Sequence, residues 1–197
     1  MRKIFLLLLF FASFASAGFY FDFTLSPVFR HLEAVHTTTQ SQFNDYQENY
    51  LGYNGGGVLV SVRFGGIIKN TVAIFGGPKV EASKGKNSGW NKDERYNQSL
   101  FLSAGPGVTV FPFSSSTGDI RNIYITATTN IHLGGGGDIG LFGTNVTLET
   151  GFLWQISKQI YSGIVVGAEY TSTTGFYANQ KDEKGYSVWL GFKFIRK

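Results

Sequence analysis

The sequence predicts an all-β protein in which eight antiparallel strands run up and down and close into a transmembrane β-barrel. Three observations carry that prediction. Apolar side chains recur with a period of two in eight segments of about ten residues, the length of a membrane-crossing strand. Short and long polar connections alternate between those segments. Beyond residue 17, no stretch approaches the roughly eighteen consecutive apolar residues of a transmembrane helix, so any membrane crossing has to be made by a closed sheet.

The segment before the first strand has a different character. Arg2 and Lys3 precede an apolar run from Ile4 to Phe11, and Ala15-Ser16-Ala17 has the small-x-small form of a cleavage site before Gly18. Residues 1–17 are expected to be a signal peptide rather than a buried first element or an anchor, and 18–197 a single domain of 197 − 17 = 180 residues. The formal charge of +4 falls to +2 without Arg2 and Lys3, too little to argue for nucleic acid. With 0 cysteines the chain needs neither disulfides nor a reducing compartment.

Each strand follows from its own alternation. In the first, Gly18 to Arg30, Phe19, Phe21, Phe23 and Leu25 alternate with Tyr20, Asp22, Thr24 and Ser26; a polar stretch to Asn54 reads as a surface loop. The second opens at Gly55, with Val58, Val60, Val62 and Phe64 opposing Leu59, Ser61, Arg63 and Gly65, and ends near Lys69-Asn70. Thr71 to Ser83 is the third and Ser99 to Phe113 the fourth, separated by the Lys- and Asn-rich residues 84–97. Ser114 to Asp119 is a turn signal before the fifth strand, Arg121 to His132. A glycine loop, Leu133 to Gly143, leads to the sixth, Thr144 to Ile156. Ser157-Lys158 turns the chain into the seventh, where Ile164, Val166, Ala168 and Tyr170 oppose Gly163, Gly167, Glu169 and Thr171. After residues 172–185 the eighth, Tyr186 to Phe194, has to pair with the first and close the sheet.

The connections after odd-numbered strands are long and those after even-numbered strands short, so an up-and-down sheet collects each kind at one end. Short turns at one end and long loops at the other, behind a secretory signal, are expected of a barrel in the outer membrane with both termini on the periplasmic side. The strand charges refine this. Asp22, Arg63, Lys79, Glu149, Glu169 and Lys193 share the non-aliphatic phase, three acids against three bases. On a soluble sheet they would be scattered surface ions. Inside a narrow barrel, where an uncompensated ion is costly, they are expected to form an ion-pair network in a polar, plugged interior.

Aromatic residues fit two girdles: Phe19, Phe21, Trp154, Phe192 and Phe194 toward the periplasm, and Tyr170 with Tyr186 toward the outside. Pro78 and Pro106 fall inside strands of a sheet that has no free edge, and a shared bulge in one hairpin is the expected accommodation.

Catalytic chemistry has little to stand on. His31, His36 and His132 lack metal-site spacing, and surface or loop-edge placement is expected for them. Ser114-Ser115-Ser116 lies in a turn without the strand-turn-helix context of a nucleophile elbow. Glu149 and Glu169 read as structural ion pairs rather than an acid/base pair, and Gly134 to Gly137 lacks the lysine and helix of a phosphate loop. No catalytic residue, cofactor or metal is assigned.

With the signal through Ala17, the alternation from Phe19 to Leu25 and the final strand from Tyr186 to Phe194, the chain resembles the small eight-stranded outer-membrane barrels of Gram-negative bacteria, the OmpA-like and OmpX-like class. Such barrels usually end on an aromatic residue read by the assembly machinery, whereas here Ile195-Arg196-Lys197 follows Phe194. The resemblance implies outer-membrane lipid, that machinery and periplasmic chaperones as partners, with an extracellular partner at the long loops. It allows structural proteins, surface adhesion or defence factors and lipid-modifying enzymes. The expected function is a non-enzymatic outer-membrane barrel with a structural or surface role. One alternative is a secreted or periplasmic soluble β-barrel that binds a small apolar ligand. The other is a lipid-modifying enzyme using His132 with Ser99 or Thr144.

Overall fold

A computed structural model describes residues 18–40, 46–88, 98–136, 139–175 and 183–197. Residues 1–17, expected to be a signal peptide cleaved near Ala17, lie outside them. Eight strands form one closed antiparallel barrel in chain order: β1 Gly18–Gln40, β2 Tyr46–Ile68, β3 Val72–Ser88, β4 Gln98–Val110, β5 Ile123–Gly136, β6 Ile139–Gln155, β7 Ile160–Gly175 and β8 Glu183–Arg196. β8 pairs with β1 from Phe21↔Arg196 to Glu33↔Lys184, so the final strand makes the closing seam. No helix among the described residues is long and apolar enough to cross a membrane; the apolar surface belongs to the strands.

The alternation decides which way each side chain points. Leu148, Leu190 and Phe192 are 59, 58 and 60 % exposed, while Asp22, Thr147 and Lys193 are fully buried. This inverts a soluble protein: most of the large apolar groups are outside and the ions of the strands inside. Such a surface suits lipid, which has no water to compete for backbone groups but provides an apolar solvent for Leu and Phe. The expected girdle residues Phe19, Trp154, Phe192, Phe194, Tyr170 and Tyr186 all face outward, with Tyr170 directly opposite Tyr186.

Several expected boundaries move, mostly at the long-loop end. Residues 31–54 are largely a continuation of the first hairpin, paired through Thr37↔Asn49 to Gln40↔Tyr46 after a register shift between Leu32 and Val35. Thr-rich sequence adopts strand geometry readily, but without apolar alternation it gives no period to read. Likewise β5 and β6 continue into the glycine segment, to Gly136↔Ile139. At the short-turn end, β4 stops at Val110 and a 3-10 turn, Asp119–Asn122, precedes β5.

The prolines do not share a bulge. Pro78 and Pro106 lie within an unbroken β3–β4 ladder, at Pro78↔Ala104 and Gly76↔Pro106. Each instead interrupts the ladder on its far side. β2–β3 pairing skips from Ser61↔Lys79 to Phe64↔Gly76, and β4–β5 pairing from Ala104↔Ile131 to Gly107↔Thr128, with register unchanged across both gaps. Pro27 does the same to the β1–β8 seam, between Leu25↔Phe192 and Val28↔Trp189. A proline lacks one donor, and in an antiparallel strand that donor serves only one neighbour, so one ladder suffers and the other is spared.

Candidate functional site

The interior is stacked in layers. At the short-turn end Tyr20, Phe111, Tyr124, Leu153 and Ile195 form an apolar plug. Tyr20 and Phe75 stack with ring centroids 5.7 Å apart. Polar contact begins directly above: Tyr20 donates from its hydroxyl to Asp22 Oδ2 at 3.1 Å.

Asp22, Arg63, Glu149 and Lys193 make the middle layer. Arg63 donates through both terminal nitrogens to the two Glu149 oxygens, at 2.7 and 2.6 Å. Lys193 Nζ lies 2.6 Å from Glu149 Oε2 and 2.9 Å from Asp22 Oδ2, and Arg63 Nη1 reaches the same Asp22 oxygen at 3.4 Å. The bidentate fork is the strong form of carboxylate recognition. Lys79 pairs separately with Glu169. The Glu169 carboxylate also accepts from Thr147 at 2.9 Å and Thr171 at 3.2 Å. All six sequence-singled charges therefore face inward, brought together as a group of four and a group of two.

Closure sets who meets whom. β2 and β6 stand four places apart on the eight-strand ring, as do β3 and β7. Arg63–Glu149 and Lys79–Glu169 thus span the lumen between opposite walls. An eight-strand barrel is narrow enough for such contacts, and side chains meeting across it occlude the bore.

The next layer outward was not singled out from the sequence. Arg30, fully buried, donates from Nη1 to Glu81 Oε1 at 2.7 Å. Ser187 donates to the same oxygen at 3.2 Å. The other terminal nitrogen of Arg30 lies 3.3 Å from His132 Nε2, again between strands four places apart. Phe101 packs against both groups, with the guanidinium carbon 3.8 Å from its ring centroid and the imidazole stacked at 4.4 Å. The phase contained the signal: Arg30 continues the run of Asp22, Thr24 and Ser26, and Glu81 stands two residues beyond Lys79. With Arg30 and Glu81 included, the buried ions among the described residues are Arg30, Arg63, Lys79 and Lys193 against Asp22, Glu81, Glu149 and Glu169, a balanced set.

His132 departs from expectation by being fully buried rather than at a surface or loop edge. Neither suggested partner meets it: Thr144 points outward, and Ser99 bonds Ser83 at 2.5 Å. Its neighbours are Ser103 Oγ, 2.8 Å from Nδ1, and Asn145 Nδ2 at 3.0 Å. Arg30 can only donate toward Nε2 and the Asn145 amide nitrogen can only donate toward Nδ1, so the imidazole is set among hydrogen-bond donors. His31 lies on the outer wall, 2.7 Å from Asn54 Oδ1 and against the Tyr186 ring at 4.9 Å. No cluster of three or more His, Cys, Asp or Glu side chains able to hold a metal occurs among the described residues.

No protein-family model matches the chain, and no curated protein does. The solid-state NMR structure of outer membrane protein AlkL in DMPC bilayers is similar with a TM-score of 0.55 at 10 % identity, over 92 % of this chain and 93 % of that one. OprG from Pseudomonas aeruginosa gives 0.45 at 10 % identity over 88 % and 95 %, and Neisserial surface protein A 0.46 at 12 % over 90 % and 96 %. At this identity the likeness to AlkL speaks for the fold: an eight-stranded outer-membrane-type barrel.

Proposed function

We propose that the protein resides in the outer membrane of a Gram-negative cell as a non-enzymatic barrel with a structural or surface-interaction role. The observation that carries this reading is the pairing of an apolar outer wall with a charge-balanced interior whose ion pairs join opposite walls. The wall asks for lipid. The crossed interior favours a stable plug over a conduit, and it supports the membrane barrel over a soluble barrel with an internal ligand cavity. Removal of residues 1–17, delivery by periplasmic chaperones and insertion by the assembly machinery are parts of the proposal, as is an extracellular partner at the long-loop end.

Fractionation combined with protease treatment of intact cells tests it. The expected result is heat-modifiable migration of protein extracted from the outer-membrane fraction, with cleavage within residues 84–97 and none at Lys69 or Lys158. Recovery in the soluble periplasmic fraction overturns the membrane reading. A change in lipid acylation on overexpression that vanishes with His132→Ala overturns the non-enzymatic one.

A further inference from the structure

The short-turn mouth holds a cup that the structural role does not use. Its volume is about 260 Å³, and every connection at this end contributes to it: Asn70 from β2–β3, Arg121 and Asn122 from β4–β5, Lys158 from β6–β7, with Lys197 beyond β8. The Lys197 backbone N–H donates to Gln159 O at 3.1 Å, tying that segment to the β6–β7 turn. Lys197 Nζ lies 3.7 Å from the Phe111 ring centroid and 4.6 Å from that of Tyr161, so the ammonium rests on the apolar plug. The cup therefore opens at the centre of the mouth, over the plug, rather than on the lipid-facing wall.

Its charge is one-sided. Arg121, Lys158 and Lys197 line it, no carboxylate side chain does, and none of the three forms an ion pair among the described residues. Lys69 and Arg196 add to the same end, against the side chain of Asp119. The Lys197 ammonium is pushed down to about 8 by burial and then by Arg121. Cationic side chains held near one another with amide donors and no side-chain carboxylate among them match an oxyanion, which accepts several charge-assisted hydrogen bonds at once. The volume lies below the roughly 300–1,000 Å³ of pockets that bury drug-sized ligands, so the fit is to a small anion.

We infer that the short-turn mouth is a binding site for a phosphate-class oxyanion, held by Arg121, Lys158 and Lys197 with the amide of Asn122. Such a group could come from free phosphate or from a phospholipid headgroup. The axial position of the cup favours the free anion.

Equilibrium dialysis with radiolabelled inorganic phosphate tests this on the folded full-length barrel in neutral detergent, at constant ionic strength. One saturable site is expected. Arg121→Gln and Lys158→Gln are each expected to weaken it about tenfold, the loss of one charge-assisted contact, whereas Lys69→Gln, outside the cup, leaves it unchanged. Heat-modifiable migration verifies that each variant is folded, and Lys158 is on an exposed turn whose substitution spares the core. Non-saturable uptake, or equal losses in Lys69→Gln and Lys158→Gln, reduces the effect to diffuse counterion attraction and overturns the site. Reconstitution then separates the sources: phosphate binding that survives in bilayers containing phosphatidylglycerol assigns the site to the free anion, and competition by those bilayers that is absent in the phosphate-free neutral detergent assigns it to the headgroup.

Discussion

In the middle of the barrel Arg63 and Lys193 each reach a carboxylate at 2.6 Å, whereas Arg121, Lys158 and Lys197 at the short-turn mouth have no ion pair among the described residues. The difference is set by water. Ions between opposite walls are cut off from solvent and are tolerable only when paired and hydrogen-bonded. Ions on turns keep part of their hydration, so unbalanced charge persists there and is available to a ligand. The modest net charge hides this division, because the interior sums to zero while the mouth is strongly positive.

The sharpest way to break the contrast is to unpair the middle layer. Glu149→Gln leaves Arg63 and Lys193 sharing Asp22 alone, with an expected loss of about 3–5 kcal/mol from the folded barrel. Urea unfolding in lipid vesicles, followed by tryptophan fluorescence, measures it; a loss below about 1 kcal/mol, the scale of an exposed pair, would show these ions to be hydrated. Packing gives the next effect. A methyl added at Gly167 would lie 2.2 Å from the Trp189 ring, and Gly167→Ala is expected to cost about 1–3 kcal/mol in the same assay. At outward-facing Gly56 the nearest atom is 4.0 Å away, so Gly56→Ala is expected to stay within about 0.5 kcal/mol.

The smallest effect lies at the mouth and appears as pH dependence. The Lys197 ammonium, held at about 8 instead of its ordinary 10.5, is disfavoured in the folded state. Between those values the unfolded chain binds the extra proton, so stability rises as pH increases from about 8 to 10.5 and gains nothing further above that; Lys197 is only half-buried, and solvent screening keeps the rise small. Lys197→Met is expected to remove this rise, and bound phosphate to suppress it by restoring a partner to the charge. Unfolding midpoints across that range measure both.

Much of the architecture was legible because lipid and a narrow lumen impose a rule that acts locally. Val58, Val60, Val62 and Phe64 must face one way if Leu59, Ser61 and Arg63 face the other, whatever the neighbouring strands do. The hairpin beyond Arg30 was illegible for the converse reason: its pairing is backbone to backbone, and Thr-rich residues there follow no apolar period. Pro78 and Pro106 were visible as anomalies, but which ladder each would interrupt depends on which neighbour its missing N–H faces.

Strand count, inward and outward phase, and the sorting of Asp22, Arg63, Lys79, Glu149, Glu169 and Lys193 onto one face were determined by the sequence alone, since a two-residue period carries them. The partners were decided only in three dimensions. Arg63 meets Glu149, Lys79 meets Glu169 and Arg30 meets His132 because closing eight strands places those walls opposite one another at side-chain reach. The cup at the mouth arises in the same way, from turns far apart in the chain that the closed ring gathers around one axis.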